Sequence, residues 1–114
     1  MTKVLSTEEV LEAMLGIHTR PVQSPASSVV GTTATKILRQ NANRFSYVIT
    51  NLGANPIYIS ISENVSSSNG LYIAPYGGQI TVQWDKDFSY VTYEVWAVSS
   101  GVANAYYTIE NISN

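Results

Sequence analysis

The spacing of hydrophobic residues changes along the chain from a helical period to a strand-like one. Residues 4–17, VLSTEEVLEAMLGI, place apolar side chains three or four positions apart, which is typical of one face of a helix. Ser6 and Glu9 have the spacing of a capping box, and Gly16 is suited to the left-handed residue that ends a helix. The pattern predicts a helix over residues 7–15. A helix this short is not stable in isolation, so we expect its apolar stripe to dock.

The docking surface of this helix has two interpretations that the sequence leaves open. The stripe packs either on the rest of its own chain or on a neighbouring subunit. The candidate docking residues, including those that flank the stripe, are Leu5, Val10, Leu11, Met14, Leu15 and Ile17.

Residues 18–30, HTRPVQSPASSVV, have no hydrophobic period and contain two prolines and three serines. This composition is typical of a linker or an extended arm, although residues 27–30 could begin an edge strand. The sequence therefore predicts two parts, an N-terminal helix and linker arm in residues 1–30 and a β-sandwich domain in residues 31–114.

From Gly31 onward, apolar and polar residues alternate with the period of a strand, and no helical pattern interrupts them. In the clearest alternation we expect Ile57, Ile59 and Ile61 to point inward. About seven short strands joined by Gly, Asn and Ser turns predict an all-β fold, an antiparallel β-sandwich or a jelly-roll-like barrel. The predicted strands are residues 32–40, 44–52, 56–62, 71–74, 79–85, 89–98 and 105–112.

Charged residues make up only 12% of the chain, and the net charge is −2. Its few cations are scattered and do not form the basic patch that nucleic-acid binding needs. The chain has no cysteine, no secretory signal and no apolar run of about 20 residues that would span a membrane. We expect neither nucleic acid nor membrane as a partner. A low-charge, tyrosine-rich surface instead suggests that protein partners cover part of it.

No set of residues has the spacing that is typical of catalysis or metal binding. The single histidine, His18, lies in the predicted arm, far from a cleft in which it could activate a serine or threonine. Asp85, Asp87 and Glu94 could do acid–base work or hold Ca²⁺, but their spacing matches no calcium loop. We expect no enzymatic activity, no cofactor and no metal ion.

The chain is rich in aromatic residues, with eight tyrosines and two tryptophans. Such side chains at alternate strand positions fill cores and protein interfaces, and exposed ones can also stack on sugar rings. Tyr76, Trp84 and Trp96 are the candidates for exposed contacts. Filling of a core or an interface is the simpler interpretation, and a glycan-binding surface is the alternative.

Residues 32–112 contain an ordered series of short turn and strand motifs. An arginine opens an apolar strand that ends in Asn-Leu-Gly, a second apolar strand follows, and an Ala-Pro-x-Gly turn precedes a Trp-Ala-Val strand. The motif residues are Arg44, Asn51-Leu52-Gly53, Pro56-Ile57-Tyr58-Ile59, Gly70-Leu71, Ala74-Pro75-Tyr76-Gly77, Val95-Trp96-Ala97-Val98, Ser100-Gly101 and residues 106–110. The series resembles small virion structural proteins of tailed bacteriophages. The resemblance implies a non-enzymatic structural protein that assembles in many copies on a capsid or tail.

The resemblance and the residue patterns together predict a capsid decoration (cement) protein. We expect a homo-oligomer, in the form of a trimer, whose N-terminal segment binds the major capsid protein, another virion protein or a neighbouring subunit. It would be made in the host cytoplasm and located on the virion, at the capsid surface or the head-tail region. A tail, neck or head-fibre component is the alternative in the same class. A carbohydrate-binding module for host attachment is the alternative from another class.

Overall fold

In the described residues, the fold has nine strands in two antiparallel sheets that pack face to face. It is seen in a computed structural model that describes residues 6, 7, 9, 10, 13, 16 and 18–113. The strands are β1 (Thr19–Gln23), β2 (Val29–Val30), β3 (Thr35–Leu38), β4 (Arg44–Asn51), β5 (Ile57–Ser60), β6 (Leu71–Ile73), β7 (Gln79–Gln83), β8 (Val95–Ser99) and β9 (Asn104–Ser113). The predicted all-β, antiparallel sandwich is confirmed, with more strands than expected.

The strands pair in a nested order. The first sheet has the order β1-β9-β4-β7, and β2 pairs with β9 on the same side as β1; the second sheet has the order β3-β8-β5-β6. Thus β1 and β2 pair with β9, β3 with β8, β4 with β7, and β5 with β6. Strands from the start of the chain therefore meet strands from its end.

The loops gather at the two ends of the sandwich. We call the end at which β4 begins the Arg44 end, and the opposite one, at which β4 finishes, the Asn51 end. The connections at the Arg44 end are residues 39–43, 61–70 and 84–94. The connections at the Asn51 end are residues 31–34, 52–56, 74–78 and 100–103.

The core lies between the sheets and follows from the alternation of side chains along each strand. Tyr47 and Ile49 in β4 face Ile57 and Ile59 in β5 across the sandwich, and all four are fully buried. Burial of each such side chain contributes about 1.5–3 kcal/mol. The inward position predicted for Ile61 is wrong. Its side chain is exposed because β5 ends at Ser60 and the alternation ends with it.

The described residues near the N-terminus confirm the start and end signals of the predicted helix. Thr7, Glu9, Val10 and Ala13 are helical. The backbone N–H of Glu9 donates to Ser6 Oγ at 3.2 Å, and the Ser6 N–H donates to Glu9 Oε1 at 3.4 Å, which is the reciprocal pattern of a capping box. Gly16 has φ +69°, the left-handed conformation of a helix-ending residue.

Of the six candidate docking residues, the structure describes only one. Val10 is exposed. The other five, Leu5, Leu11, Met14, Leu15 and Ile17, lie outside the described residues.

The interpretation of residues 18–30 as a linker is wrong for most of that segment. Thr19–Gln23 pairs with the C-terminal part of β9, and Val29–Val30 pairs with its start. Ser24 continues the contact, since its N–H donates to the carbonyl of Thr108 at 2.9 Å. Pro21 concealed the strand from the sequence pattern, but β1 is an edge strand, where a missing N–H is tolerated. The sheet therefore begins at Thr19 and not at Gly31.

The predicted strand over residues 89–98 is wrong in its first half. A helical turn, Trp84–Asp87, and a 3₁₀ helix, Phe88–Thr92, follow β7, and β8 begins only at Val95. Trp84 therefore lies in the helical turn and not in a strand.

Side chains at the Arg44 end form hydrogen bonds with backbone groups of this segment. A strand would need the same backbone groups to pair with its neighbour. The carbonyl oxygens of Val91 and Tyr93 accept hydrogen bonds from the Arg44 guanidinium at 3.0 and 3.1 Å. The N–H of Gln83 donates to the carboxylate of Asp87 at 2.9 Å, which closes the helical turn. Tertiary contacts thus override a local pattern that is typical of a strand.

Candidate functional site

Strand β4 begins and ends with a buried polar residue, Arg44 and Asn51. Its pairing with β9 shifts in register between Arg44 and Ser46, which indicates a β-bulge. The extra residue reverses the alternation of side chains and turns Arg44 to the inner face that also holds Tyr47. Buried polar groups are tolerated where their hydrogen bonds are satisfied, so each of these two residues organises the loops around it.

The guanidinium group of Arg44 joins several segments at the Arg44 end. Its Nε donates a 2.6 Å hydrogen bond to the carboxylate of Glu110 in β9. Its Nη1 donates to the carbonyls of Val91 and Tyr93, and its Nη2 donates to the carbonyl of Arg39. Arginine suits this position because it presents five donors in a fixed planar fork. Arg44 therefore has a structural role in closing this end of the sandwich.

Tyr47 lies against Arg44, with the guanidinium 5.5 Å from the centre of its ring. Its hydroxyl is buried and has no hydrogen-bond partner among the described residues. Burial raises the pKa of this hydroxyl well above its ordinary value, and the nearby Tyr90 adds to the effect. An unpaired buried hydroxyl costs about 1–3 kcal/mol, so the Tyr47 side chain stabilises the core through its ring alone.

Asn51 forms a second buried network at the Asn51 end. Its Nδ2 donates to the carbonyls of Asn55 and Ile73 at 2.8 and 3.2 Å. Its Oδ1 accepts from Asn104 Nδ2 at 2.8 Å and from the Gly53 N–H at 3.0 Å. The Oδ1 of Asn104 in turn accepts from the Asn55 N–H at 2.9 Å. The Asn51 amide is fully used, and the two amides hold the loop after β4 against the start of β9.

Backbone contacts tie the remaining loops at the Asn51 end to this network. The N–H of Tyr76 donates to the carbonyl of Gly53 at 2.9 Å, and the N–H of Ser99 donates to the carbonyl of Gly31 at 2.8 Å. Gly53 packs so closely on Asn104 that any Cβ at this position would overlap the Asn104 amide. The four loops at this end therefore form a preorganised surface.

The Asn51 end carries no charged residue. Four runs of the chain lack Asp, Glu, Lys and Arg, namely residues 21–35, 45–62, 64–84 and 95–109. Each run contains one of the four loops at the Asn51 end together with strand residues on both sides. The charged residues of the described chain consequently lie towards the Arg44 end or on the sheet faces near it.

Exposed apolar side chains project from this uncharged end. They are Val29 (51% exposed), Leu52 (55%), Tyr76 (78%) and Val102 (87%). Single exposed apolar residues are ordinary, but a group of them on rigid, uncharged loops has the composition of a protein interface. We call these four residues the apolar tip.

The outer face of the second sheet carries a separate aromatic surface. The rings of Tyr58 and Tyr72, on neighbouring strands, lie 5.7 Å apart. Trp96 in β8 lies beneath the Lys36 ammonium, which is 5.4 Å from the centre of its ring. Lys36 also forms a 2.7 Å ion pair with Glu94. Hydrogen bonds from Lys36 and then from the Trp96 indole lower the pKa of the Glu94 carboxyl.

The three aromatic residues that were predicted as exposed contacts do not form one site. Tyr76 is exposed at the Asn51 end. Trp84 is half-exposed in the helical turn at the Arg44 end, where it packs edge-on against Phe45 at 6.3 Å. Trp96 is half-buried on the second sheet. Only Tyr76 and Trp96 belong to surfaces that the fold organises.

Two of the three acidic residues considered for catalysis, Asp87 and Glu94, have other contacts. The Asp87 carboxylate accepts the hydrogen bond from Gln83, and Glu94 is paired with Lys36. Among the described residues, no three His, Cys, Asp or Glu side chains are grouped so that they could hold a metal ion. No helix in the described part of the chain is long and apolar enough to cross a membrane.

The sequence patterns missed the structural role of Arg44, Asn51 and Asn104, because their partners lie far away in the chain. One signal for the apolar tip was present. The total charge was low, and the few charges were distributed unevenly, with uncharged runs centred on the loops of one end.

Comparison with known proteins gave no relative: no family model, curated protein or solved structure matches the chain.

Proposed function

We propose that the protein is a non-enzymatic structural protein of a virion, and that it binds the shell through its apolar tip. The observation that carries this proposal is the uncharged Asn51 end, where four exposed apolar residues project beside the buried pair Asn51 and Asn104, three of them from loops and Val29 from β2. The cores of protein interfaces are depleted of charged residues and enriched in aromatic ones. Preorganised loops also lower the entropy cost of binding.

A jelly-roll arrangement is part of the proposal, and the strand order supports it. When β1 and β2 are counted as one interrupted strand, eight strands pair first with last, second with seventh, third with sixth and fourth with fifth. This pairing supports the winding of an eight-stranded jelly roll, an architecture found in viral capsid and lectin domains. Fold alone does not establish function, so the argument rests chiefly on the tip.

Within this class we propose a capsid decoration protein that binds the major capsid protein as a trimer. The sequence resemblance to small phage virion proteins supports this form. The outer face of the first sheet also lacks charged residues, which leaves it suited to contacts between copies; its residues include Ser46, Val48, Thr50, Gln79, Thr81, Gln83, Tyr107, Ile109 and Asn111.

The test uses particles of a phage that carries the gene. Hundreds of copies per particle, spread over the shell in an electron-microscopy reconstruction, would support decoration. About a dozen copies or fewer at one vertex would instead support a tail, neck or head-fibre component. Absence of the protein from purified particles would refute both forms.

A pair of variants tests the tip itself. Val102 and Phe88 are similarly exposed, at 87% and 77%, and lie at opposite ends of the sandwich. Val102→Glu should weaken binding to shells that lack the protein by about tenfold or more, since it places a charge in the interface. Phe88→Glu should leave binding unchanged. Equal effects of the two changes would exclude the tip as the contact surface.

The N-terminal segment needs a different deletion from the one that the sequence pattern suggests. Removal of residues 1–30 would delete β1 and β2 and damage the first sheet. Removal of residues 1–16 leaves every described strand in place. Unchanged shell binding after this shorter deletion would assign the contact to the sandwich and not to the segment.

Carbohydrate binding is the second candidate, and the aromatic surface of Tyr58, Tyr72 and Trp96 supports it. Flat aromatic side chains on a rigid sheet can stack on sugar rings. A glycan array with the purified protein tests this alternative. Binding that disappears with Tyr72→Ala and Trp96→Ala, but not with Trp84→Ala, would place glycan recognition above shell binding, provided that circular dichroism shows folded variants.

A further inference from the structure

A groove runs along the side of the sandwich on which both sheets end. One wall is β1, the edge of the first sheet, and the other is β3 with the residues after it, at the edge of the second sheet. The groove has a volume of about 480 Å³. Its apolar lining consists mainly of Val22, Ile37, Leu38, Tyr106 and Ile112.

The charges in this groove are unbalanced. Arg44 and Glu110 pair with each other at its base. Arg20 and Arg39 also line the groove, and both are exposed. Neither of these two side chains forms an ion pair or a hydrogen bond within the described chain. The groove therefore combines an apolar floor with two unneutralised cations.

The N-terminal segment has the complementary composition. Residues 4–19 contain three glutamates, Glu8, Glu9 and Glu12, and no lysine or arginine. On a helix, Glu8 and Glu12 lie one turn apart and border the apolar stripe, because residues four apart share a face. A helix over residues 7–15 is about 14 Å long. The wall of the groove from Arg20 to Pro25 is about 17 Å long, so the lengths match.

At the described positions the helix is mostly exposed, with Glu9 half-buried. Val10 and Ala13 are exposed, as are Ser6 and Gly16 at its two ends. A helix of this length needs a tertiary partner to be stable. We propose that the groove between β1 and β3 binds the N-terminal helix of a second copy of this protein, with Glu8 and Glu12 facing Arg20 and Arg39.

This contact joins two different surfaces, so it repeats from one copy to the next. Such a heterologous interface closes into a ring, for example a trimer, when the rotation between copies permits. The inference goes beyond the proposed function, since it concerns contacts between copies and does not depend on binding to a shell.

The experiment measures the mass of the full-length protein in solution by native mass spectrometry and light scattering over a range of concentrations. The wild type should form a closed oligomer. Arg20→Glu with Arg39→Glu should weaken association by about tenfold or more, because like charges then meet at the interface. Glu8→Lys with Glu12→Lys should do the same, whereas Lys86→Glu, a charge reversal outside the groove, should have no effect.

An equal mixture of the two double variants is the decisive sample. Each reversed groove then finds a reversed helix, and each native groove finds a native helix, so mixed dimers and even-numbered rings should form, whereas a three-membered ring would keep one mismatched contact. A wild type that stays monomeric at every concentration, a groove variant with wild-type mass, or a mixture that stays dissociated would each overturn the proposal. A monomer in solution that still binds shells would refute this interface and leave the proposed function intact.

Discussion

The side-chain amide of Asn104 donates a 2.8 Å hydrogen bond to the side-chain carbonyl of Asn51, 53 positions earlier in the chain. Both residues are buried, and their side-chain oxygens accept hydrogen bonds from backbone N–H groups of the loop after β4. This hydrogen bond makes the apolar tip rigid. Three of the four tip residues lie on loops that either are held by the pair of asparagines or contact a loop that the pair holds. The contribution of these hydrogen bonds to the free energy of unfolding can be measured directly.

Asn51→Ala should lower the free energy of unfolding by about 2–4 kcal/mol, because it leaves several buried polar groups without partners. Urea denaturation of the two proteins measures this loss. Asn111→Ala is the matched control, since Asn111 is exposed and its side chain forms a single bond to Ser46. The control should cost less than about 0.5 kcal/mol. Equal losses would mean that the buried network has no special role.

Arg44→Met should lower the free energy of unfolding by about 3–5 kcal/mol, because Glu110 loses its ion-pair partner and three carbonyls lose their donor. Thermal and urea denaturation check the loss. Lys86→Met removes an exposed cation outside the groove and should change stability by less than about 0.5 kcal/mol. A loss in Arg44→Met no larger than in this control would contradict the structural role of Arg44.

Tyr47→Phe should leave stability unchanged or raise it by up to about 1 kcal/mol, since the variant removes a buried hydroxyl that has no partner. Calorimetry at neutral pH measures the difference. A loss of more than about 1 kcal/mol would show that the hydroxyl forms a hydrogen bond, for example to an ordered water.

Stability should also decline at high pH. The pKa of Tyr47 is raised in the folded protein above the ordinary value of 10.0, so the unfolded chain loses this proton first. The free energy of unfolding is therefore independent of this group below pH 10 and falls as the pH rises above it. Tyr47→Phe should reduce this slope and leave a part from Tyr90, whose pKa is also raised by burial. Identical slopes in the two proteins would rule Tyr47 out as the source.

Lys36→Ala should raise the pKa of the Glu94 carboxyl towards its ordinary value, because the Lys36 ammonium is the main cause that lowers it. A carboxyl titration followed by nuclear magnetic resonance measures the shift. Lys86→Ala serves as the control and should leave Glu94 unchanged. The same titration curve in the wild type and Lys36→Ala would show that the ion pair is absent in solution.

Local sequence patterns were sufficient to predict the features that depend on contacts between residues close together in the chain. The capping box of Ser6 and Glu9, the left-handed Gly16 and the inward positions of Ile57 and Ile59 all depend on residues a few positions apart. The strand β1 was missed because Pro21 interrupts its pattern, and because its partner is about ninety residues away in β9. The residues before β8 have a strand-like alternation, but hydrogen bonds from Arg44 hold them in a 3₁₀ helix.

The candidate surfaces were predictable only in part. Tyr76 was expected at the surface and lies there, because a turn of Pro and Gly residues usually faces solvent. Leu52, Val29 and Val102 were not expected there, since an apolar residue is assigned to the core until the ends of its strand are known. The groove between β1 and β3 required both sheets to be in place before it could be recognised.

The position of β9 also sets the order of events during synthesis. This strand lies between β4 on one side and β1 with β2 on the other, so the first sheet stays open until residues 104–113 have left the ribosome. At typical rates of translation, roughly 5–18 s pass between the synthesis of β1 and that of its partner strand β9. During that interval the nascent chain exposes unpaired strand edges to its neighbours on the same messenger. The low charge that suits the finished surface offers little protection then, so chaperones should matter most before β9 is added.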